Sequence, residues 1–261
     1  MIKLVVSDID GTLLEDGQHT LNPELFDVIL KLRENGMQFA AASGRQWASI
    51  ETVFEPVKEK IFYLSDNGAY VGCHGRQLFA NTIERGIVMD MVRDIRAAGL
   101  DVMVSGPDVV YMETPNEEFY RWMVDGYKFR VKRVDDLLKV EDEFIKVSAY
   151  KKTDVECATK ELRKKYQDKL KIAISGDMWM DCMAPGITKG VAVKLLLESL
   201  GIAPEETIAF GDQLNDIEML ESVYYSFAIG NARPEVKKAA RFQADTNVND
   251  GVLKILKLLV P

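Results

Sequence analysis

A chain of 261 residues with 47% hydrophobic content is too apolar to stay disordered and long enough to bury a substantial core, as one large domain or two smaller ones. A net charge of -8 and a pI near 5.0 argue against a nucleic-acid or anionic-membrane partner, both of which reward clustered Lys and Arg. Cys73, Cys157 and Cys182 are odd in number and widely spaced, so neither a disulfide framework nor a zinc site is indicated and a reducing cytoplasm fits.

The chain enters a strand within two residues of Met1, which leaves no signal peptide, and no apolar run approaches membrane-spanning length. Ile2 to Ser7 is short, apolar and β-branched without polar alternation, as in a parallel strand covered on both faces. Asn22-Pro23 opens a helix with a cap and a proline at its first position; Leu25, Val28, Ile29 and Leu32 recur at helical spacing, and Gly36 ends it. Gln38 to Ala42 is a second buried strand running into Ser43-Gly44-Arg45, which is expected to open a helix that reaches about Glu55 and stops at Pro56. A third strand follows at Ile61 to Ser65, then a turn at Asp66-Asn67-Gly68. This βαβαβ order predicts an α/β fold with a Rossmann-like parallel-sheet core.

From about Ile83 to Pro185 the rhythm changes. Helical patterns at Glu84 to Ala98 and Thr153 to Tyr166 alternate with strand pairs, the clearest being Lys171 to Ser175 and Met178 to Met183 joined by Gly176-Asp177. Hairpins imply antiparallel pairing, so residues 83–185 are expected to be an inserted α+β domain within a core of residues 1–82 and 186–261. The α/β rhythm then returns: a helix from Lys189 to Leu200 closed by Gly201, a strand at Thr207 to Phe210, a helix after Asn215, a strand at Ser226 to Ile229 and a last helix from Gly251 to Leu259.

Four polar clusters fall at the carboxyl ends of these strands or the starts of the following helices, where α/β folds bind ligands. Asp8 and Asp10, two residues apart at the first strand exit, repel each other unless a cation lies between them. A hard divalent metal held through oxygen, magnesium above all, is the natural candidate. A solvated acidic turn is the bland alternative, and a calcium loop fails because its twelfth position is His19 rather than glutamate. Ser43-Gly44 offers a hydroxyl and backbone N–H groups to an anion, or is an ordinary helix start. Lys189 lies in the first turn of a helix, against the dipole, where an anionic partner would hold it unless it is simply solvated. Asp212 could complete the shell begun by Asp8 and Asp10, with Asn215 and Asp216 beginning the next helix, or the acids could be helix caps. His19 and His74, the two histidines, suit surface or loop positions, and their scarcity disfavours a histidine base or a histidine metal cage.

Taken together, Asp8-Ile9-Asp10-Gly11-Thr12, Ser43-Gly44-Arg45, Lys189-Gly190 and Gly211-Asp212-x-x-Asn215-Asp216 resemble the four ordered motifs of the haloacid dehalogenase superfamily. Asn67-Gly68-Ala69, the large insert, Gly230-Asn231-Ala232 and Asn249-Asp250-Gly251-Val252 resemble its Cof-like phosphatases, over residues 3 to about 255. Ser43 replaces a threonine common there and keeps the hydroxyl.

The resemblance implies a magnesium-dependent phosphomonoester hydrolase working through an aspartyl-phosphate on Asp8. In that scheme the metal is held by Asp8, the Asp10 backbone carbonyl and Asp212, with Asp216 behind them; the Asp10 side chain is acid and then base; Ser43, Gly44, Lys189 and Asn215 grip the phosphate. Asp10 sets the chain apart from related ATPases, which carry threonine there, and from dehalogenases, which lack the second acid. Phosphoaspartate receivers need neither that acid nor a large insert. A phosphomutase of the same fold, or a non-catalytic metabolite-binding protein, is the alternative. The resemblance also implies that the insert acts as a cap, moving on linkers near Thr82 and Pro185, and supplies specificity for a small phosphorylated metabolite, sugar phosphates first. Arg45, Glu113 and Asp181 are candidate substrate contacts, although a structural ion pair or solvated side chain is the commoner role for each. Trp122 and Trp179 could stack on a ring, with packing between cap and core the alternative.

Overall fold

The computed structural model describes residues 1–15, 20–73, 76–175 and 177–260. His19, His74 and Gly176, named above, lie outside them. The chain divides into two compact units, Met1–Leu78 with Thr188–Pro261, and Phe79–Ile187.

The first unit opens with β1 (Leu4–Ser7), α1 (Pro23–Glu34), β2 (Gln38–Ala42), α2 (Trp47–Val53), β3 (Phe62–Ser65), β4 (Tyr70–Cys73) and β5 (Arg76–Ala80), the last of which runs across the unit boundary. The second unit holds α3 (Arg85–Ala97), β6 (Asp101–Ser105), β7 (Val110–Met112), α4 (Glu117–Arg121), β8 (Val131–Arg133), β9 (Lys146–Tyr150), α5 (Val155–Ala158), α6 (Lys160–Tyr166), β10 (Lys171–Ser175) and β11 (Trp179–Met183). The chain then returns to the first unit through α7 (Lys189–Leu200), β12 (Thr207–Gly211), α8 (Ile217–Glu221), β13 (Tyr225–Ala228), α9 (Pro234–Ala239), β14 (Phe242–Gln243) and α10 (Gly251–Lys257).

Described residues of the first unit build an eight-stranded sheet in the order β14-β13-β12-β1-β2-β3-β4-β5. It is parallel from β14 to β3 and turns antiparallel at β4. β1 sits between β12 and β2, with Ser7 level with Phe210 and Ala41. That register brings the exits of the three strands side by side. Val5, Phe39, Ala41, Ile208 and Phe210 pack with Leu25, Ile29 and Leu32 of α1 and Val252, Leu253 and Leu256 of α10. The alternate residues Leu4, Val6, Ala40, Ala42 and Ala209 are equally buried, as strands covered on both faces require.

Several expectations are corrected in detail. β4 and β5 are not anticipated by the sequence patterning: β5 is an edge strand, largely exposed, and lacks the apolar run that marks a covered one, while β4, buried between β3 and β5, is only four residues long and interrupted by Gly72. Ser43-Gly44 does not open α2, which begins at Trp47; the Ser43 N–H donates to the Leu64 carbonyl and its carbonyl accepts from Asn67 N–H, which ties the segment to the end of β3. α2 ends at Val53, with a 3-10 turn over Glu55–Lys60 where one helix was expected to reach Glu55. The helix expected over 153–166 is broken at Thr159, whose hydroxyl donates back to the Val155 carbonyl at 2.7 Å.

In the second unit the described strands run β10-β11-β9-β6-β7-β8, antiparallel except for β7 with β8. Trp122 and Trp179 stack with centroids 6.0 Å apart and belong to one aromatic cluster with Phe119, Tyr127 and Tyr150.

Candidate active site

β1 delivers Asp8 to its carboxyl end, where the side chain is almost fully buried. The turn that follows depends on Gly11: its φ is +83°, and a Cβ there would collide with the Asp212 carboxylate. Thr12, one residue on, donates its hydroxyl to Asp212 Oδ1 at 2.8 Å. The exits of β1 and β12 are thereby stitched together by a backbone close approach and one buried hydrogen bond.

Asp8, Asp212 and Asp216 each place a carboxylate oxygen within 4.8 Å of the other two. Burial pushes the Asp8 carboxyl well above the usual carboxylate range, against the pull of Lys189, and the neighbouring Asp216, Asp212 and Asp10 raise it further. Burial likewise raises Asp212 to about 6, with Asp216 adding to it. Lys189, 2% exposed, donates from Nζ to Asp8 Oδ1 at 2.5 Å and to Asp216 Oδ1 at 2.7 Å. Burial alone would lower its affinity for a proton, but the carboxylates of Asp216 and Asp8 more than offset that and hold it charged. A solvated lysine is therefore ruled out, and the anionic partner that its position against the helix dipole required is Asp8 with Asp216.

The other oxygen of Asp216, Oδ2, accepts the backbone N–H groups of Asp212 and Gln213 at 3.0 and 2.9 Å. Asp216, rather than Asn215 or Asp212, thus caps the turn after β12, and both its oxygens are committed. Asn215 donates to Asn67 Oδ1 at 3.0 Å, and a Cβ on Gly44 would lie 3.3 Å from the same oxygen. Asn67, buried with φ +57°, bridges the segment after β2 to the segment after β12. In the sequence it belongs to an Asp-Asn-Gly turn and to the Asn67-Gly68-Ala69 stretch that resembles Cof-like phosphatases, and neither signal names its contacts. Thr12, Asn231 and Asn247 were likewise assigned no role from the sequence. Asn231 Nδ2 donates to the Gly11 carbonyl at 2.8 Å, Asn247 Nδ2 to the Leu14 carbonyl at 3.1 Å, and Asn247 N–H to Asn231 Oδ1 at 3.1 Å. Together these hold the loop behind Asp8 and Asp10.

Asp10 does not join the three-carboxylate group. Its side chain receives a two-pronged pair from Arg45, Nε to Oδ2 at 2.8 Å and Nη2 to Oδ1 at 2.5 Å. Arg45 is therefore placed on an acid of this chain, the structural ion pair that was the alternative to a substrate contact. Glu113 accepts a fork from Arg96 and the Leu137 N–H at 2.7 Å, and Asp181 accepts from the Ser148 hydroxyl at 2.6 Å. Both acids of the second unit thus have partners within it.

Three buried carboxylates against one ammonium leave negative charge that burial penalises, and every donor is a hard oxygen. Such a set fits a divalent cation of magnesium's kind. Asp8 and Asp212 suit the ligand role better than Asp216, whose oxygens already serve Lys189 and two N–H groups. With its carboxylate on Arg45, Asp10 could contribute only its backbone carbonyl.

Residues 5–256 match the haloacid dehalogenase-like hydrolase family, to which the chain belongs. It is an enzyme, and its acid set is that of a phosphatase. Over 258 residues it is 28% identical to 5-amino-6-(5-phospho-D-ribitylamino)uracil phosphatase YbjI of Escherichia coli, covering 98% of this chain and 95% of that one. A solved structure from Eubacterium rectale superposes with a TM-score of 0.89 at 33% identity over 99% of each chain. The sugar phosphatase BT4131 superposes with a TM-score of 0.86 at 25% identity over 98% of each. No helix among the described residues is long and apolar enough to cross a membrane.

Proposed function

We propose that this chain is a magnesium-dependent phosphomonoester hydrolase that forms an aspartyl-phosphate on Asp8 and acts on a phosphorylated sugar or sugar alcohol. The observation that carries the reading is the buried Lys189 ammonium shared by Asp8 and Asp216 beside Asp212, with a second acid, Asp10, held separately on Arg45.

An oxygen of Asp8 attacks phosphorus while the bond to the leaving oxygen breaks, and the Asp10 carboxyl gives that oxygen a proton. The Asp10 carboxylate then takes a proton from water, whose oxygen attacks phosphorus and frees Asp8 and inorganic phosphate. Lys189 opposes the burial that raises Asp8, favouring its ionised form, and meets the charge on the phosphoryl oxygens, which Ser43, the Gly44 N–H and Asn215 also grip. Asp8, the Asp10 carbonyl and Asp212 would hold the cation, which when bound would neutralise charge on the carboxylate and the phosphate dianion. Asp216 fixes Lys189 and the turn that carries Asp212.

The substrate class is supported by the names of the relatives, a phosphoribityl-uracil phosphatase and a sugar phosphatase. The test is phosphate release from 5-amino-6-(5-phospho-D-ribitylamino)uracil, hexose and pentose phosphates, nucleotides and cofactor phosphates, with magnesium or with a chelator. Magnesium-dependent release, fastest on the sugar and ribityl esters and lowered about a thousandfold or more by Asp8→Asn, is expected. Release that survives Asp8→Asn would remove the aspartyl-phosphate scheme.

A further inference from the structure

Arg45 holds an unusual position for a charged side chain. It is only 4% exposed, yet its fork closes on a carboxylate that is itself one-third open, since the Asp10 side chain is 34% exposed. The backbone beneath it is fixed at two points: its N–H donates to the Ser43 hydroxyl at 3.1 Å and its carbonyl accepts from Asp66 N–H at 2.9 Å. One end of the pair is thus anchored to the ends of β2 and β3, while the other presents an acid toward solvent.

Two parallel N–H···O bonds from a planar guanidinium fix a carboxylate in both position and plane, which a lysine's point charge cannot do. Nothing in the Asp8 cluster performs this service, because the Asp10 side chain lies outside it. We propose that Arg45 is the positioning residue for Asp10, setting the angle at which that acid meets the leaving oxygen; this rests on the phosphatase reading above.

The arrangement suits both halves of the reaction. When one oxygen of Asp10 carries the proton bound for the leaving group, the other still accepts from the guanidinium, so the acid keeps its place. Once the proton has gone, both N–H groups are satisfied again and the carboxylate stands ready to take a proton from water. Losing the fork leaves the charge balance nearly intact if lysine replaces arginine, but frees the carboxylate to rotate.

A general acid matters when the leaving oxygen is strongly basic and hardly at all when it is not. The experiment therefore compares kcat/KM, which reports steps through leaving-group departure, for the sugar or ribityl phosphate of the panel that turns over fastest and for p-nitrophenyl phosphate. In Arg45→Lys we expect kcat/KM for the alkyl ester to fall at least tenfold further than for the nitrophenyl ester, with Asp10→Asn showing the same asymmetry. Equal losses on both esters would overturn the inference and make Arg45 a structural or phosphate-binding residue. Thermal melts of each variant separate misfolding from this outcome. Absence of magnesium-dependent turnover in the unaltered enzyme would instead overturn the phosphatase reading, and the inference with it.

Discussion

Lys189 is the residue on which the candidate site turns, because it is the one cation shown against the buried acids of the Asp8 cluster among the described residues. Replacing it by methionine of similar length leaves Asp8 and Asp216 facing each other without compensation. Removing one partner of a buried ion pair costs about 3–5 kcal/mol. The acids recover part of that cost by taking up protons, so Lys189→Met is expected to lower stability at pH 7 by about 3 kcal/mol in urea unfolding and to abolish phosphate release. Unchanged stability would mean that the ammonium contributes nothing to holding the acids together.

At the scale of the element, α7 reaches the site through its first turn. Thr188 caps it, accepting from Val191 N–H at 3.1 Å, and Gly201 closes it in the left-handed conformation. Between these ends Gly190 faces α8 so closely that a Cβ would lie 2.5 Å from the Glu218 carbonyl oxygen. Backbone cannot yield as a side-chain tip can. Gly190→Ala gains up to about 1 kcal/mol in helix propensity. It must also force two helices apart, at a cost of about 1–3 kcal/mol or more. The net expectation is a lower urea midpoint together with weaker activity, since Lys189 is displaced along with its neighbour. A midpoint at or above the parent's would show that α7 and α8 can part freely. Lys189-Gly190 is thus a pair with two different tasks, one chemical and one steric, and spacing alone exposed the first while the second needed the packed helices.

For the whole molecule, the acids of the site make stability depend on pH and on metal. The folded-state pKa of Asp212, about 6, lies above its ordinary value, and Asp8 is shifted in the same direction. Between the two values the folded protein holds protons that the unfolded chain releases, so unfolding becomes easier as pH rises. Without metal, the melting temperature is therefore expected to fall as pH rises from about 4 through 6, and Asp212→Asn should flatten that slope. On the proposed function magnesium would bind the ionised acids, so its stabilisation is expected to be largest above pH 6 and lost in the same variant; saturation a hundredfold over Kd corresponds to about 2.7 kcal/mol. Differential scanning fluorimetry with chelator and with magnesium measures both. A metal-free pH slope that Asp212→Asn leaves unchanged would mean that burial does not strain this acid.

The sequence by itself determined the elements with strong periodicity and the chemistry at their ends. β2 and α7 lie where patterning placed them, and Asp8, Asp212 and Lys189 converge because each follows or opens an element whose position a parallel sheet dictates. Local signals carry that far because burial on both faces leaves a dense apolar code. Which group each polar side chain touches was decided by the tertiary structure alone. Arg45 reads equally well as a substrate contact or a structural ion pair until β1 and β2 are set side by side and its fork meets Asp10. Asn67 reads as a turn until β3 and β12 bring Asn215 to it, and the edge strand β5 carries too little apolar pattern to be seen. Hydrogen bonds between residues 35, 148 or 200 positions apart leave no mark on either local stretch, so they become legible only once the sheet has fixed their separation.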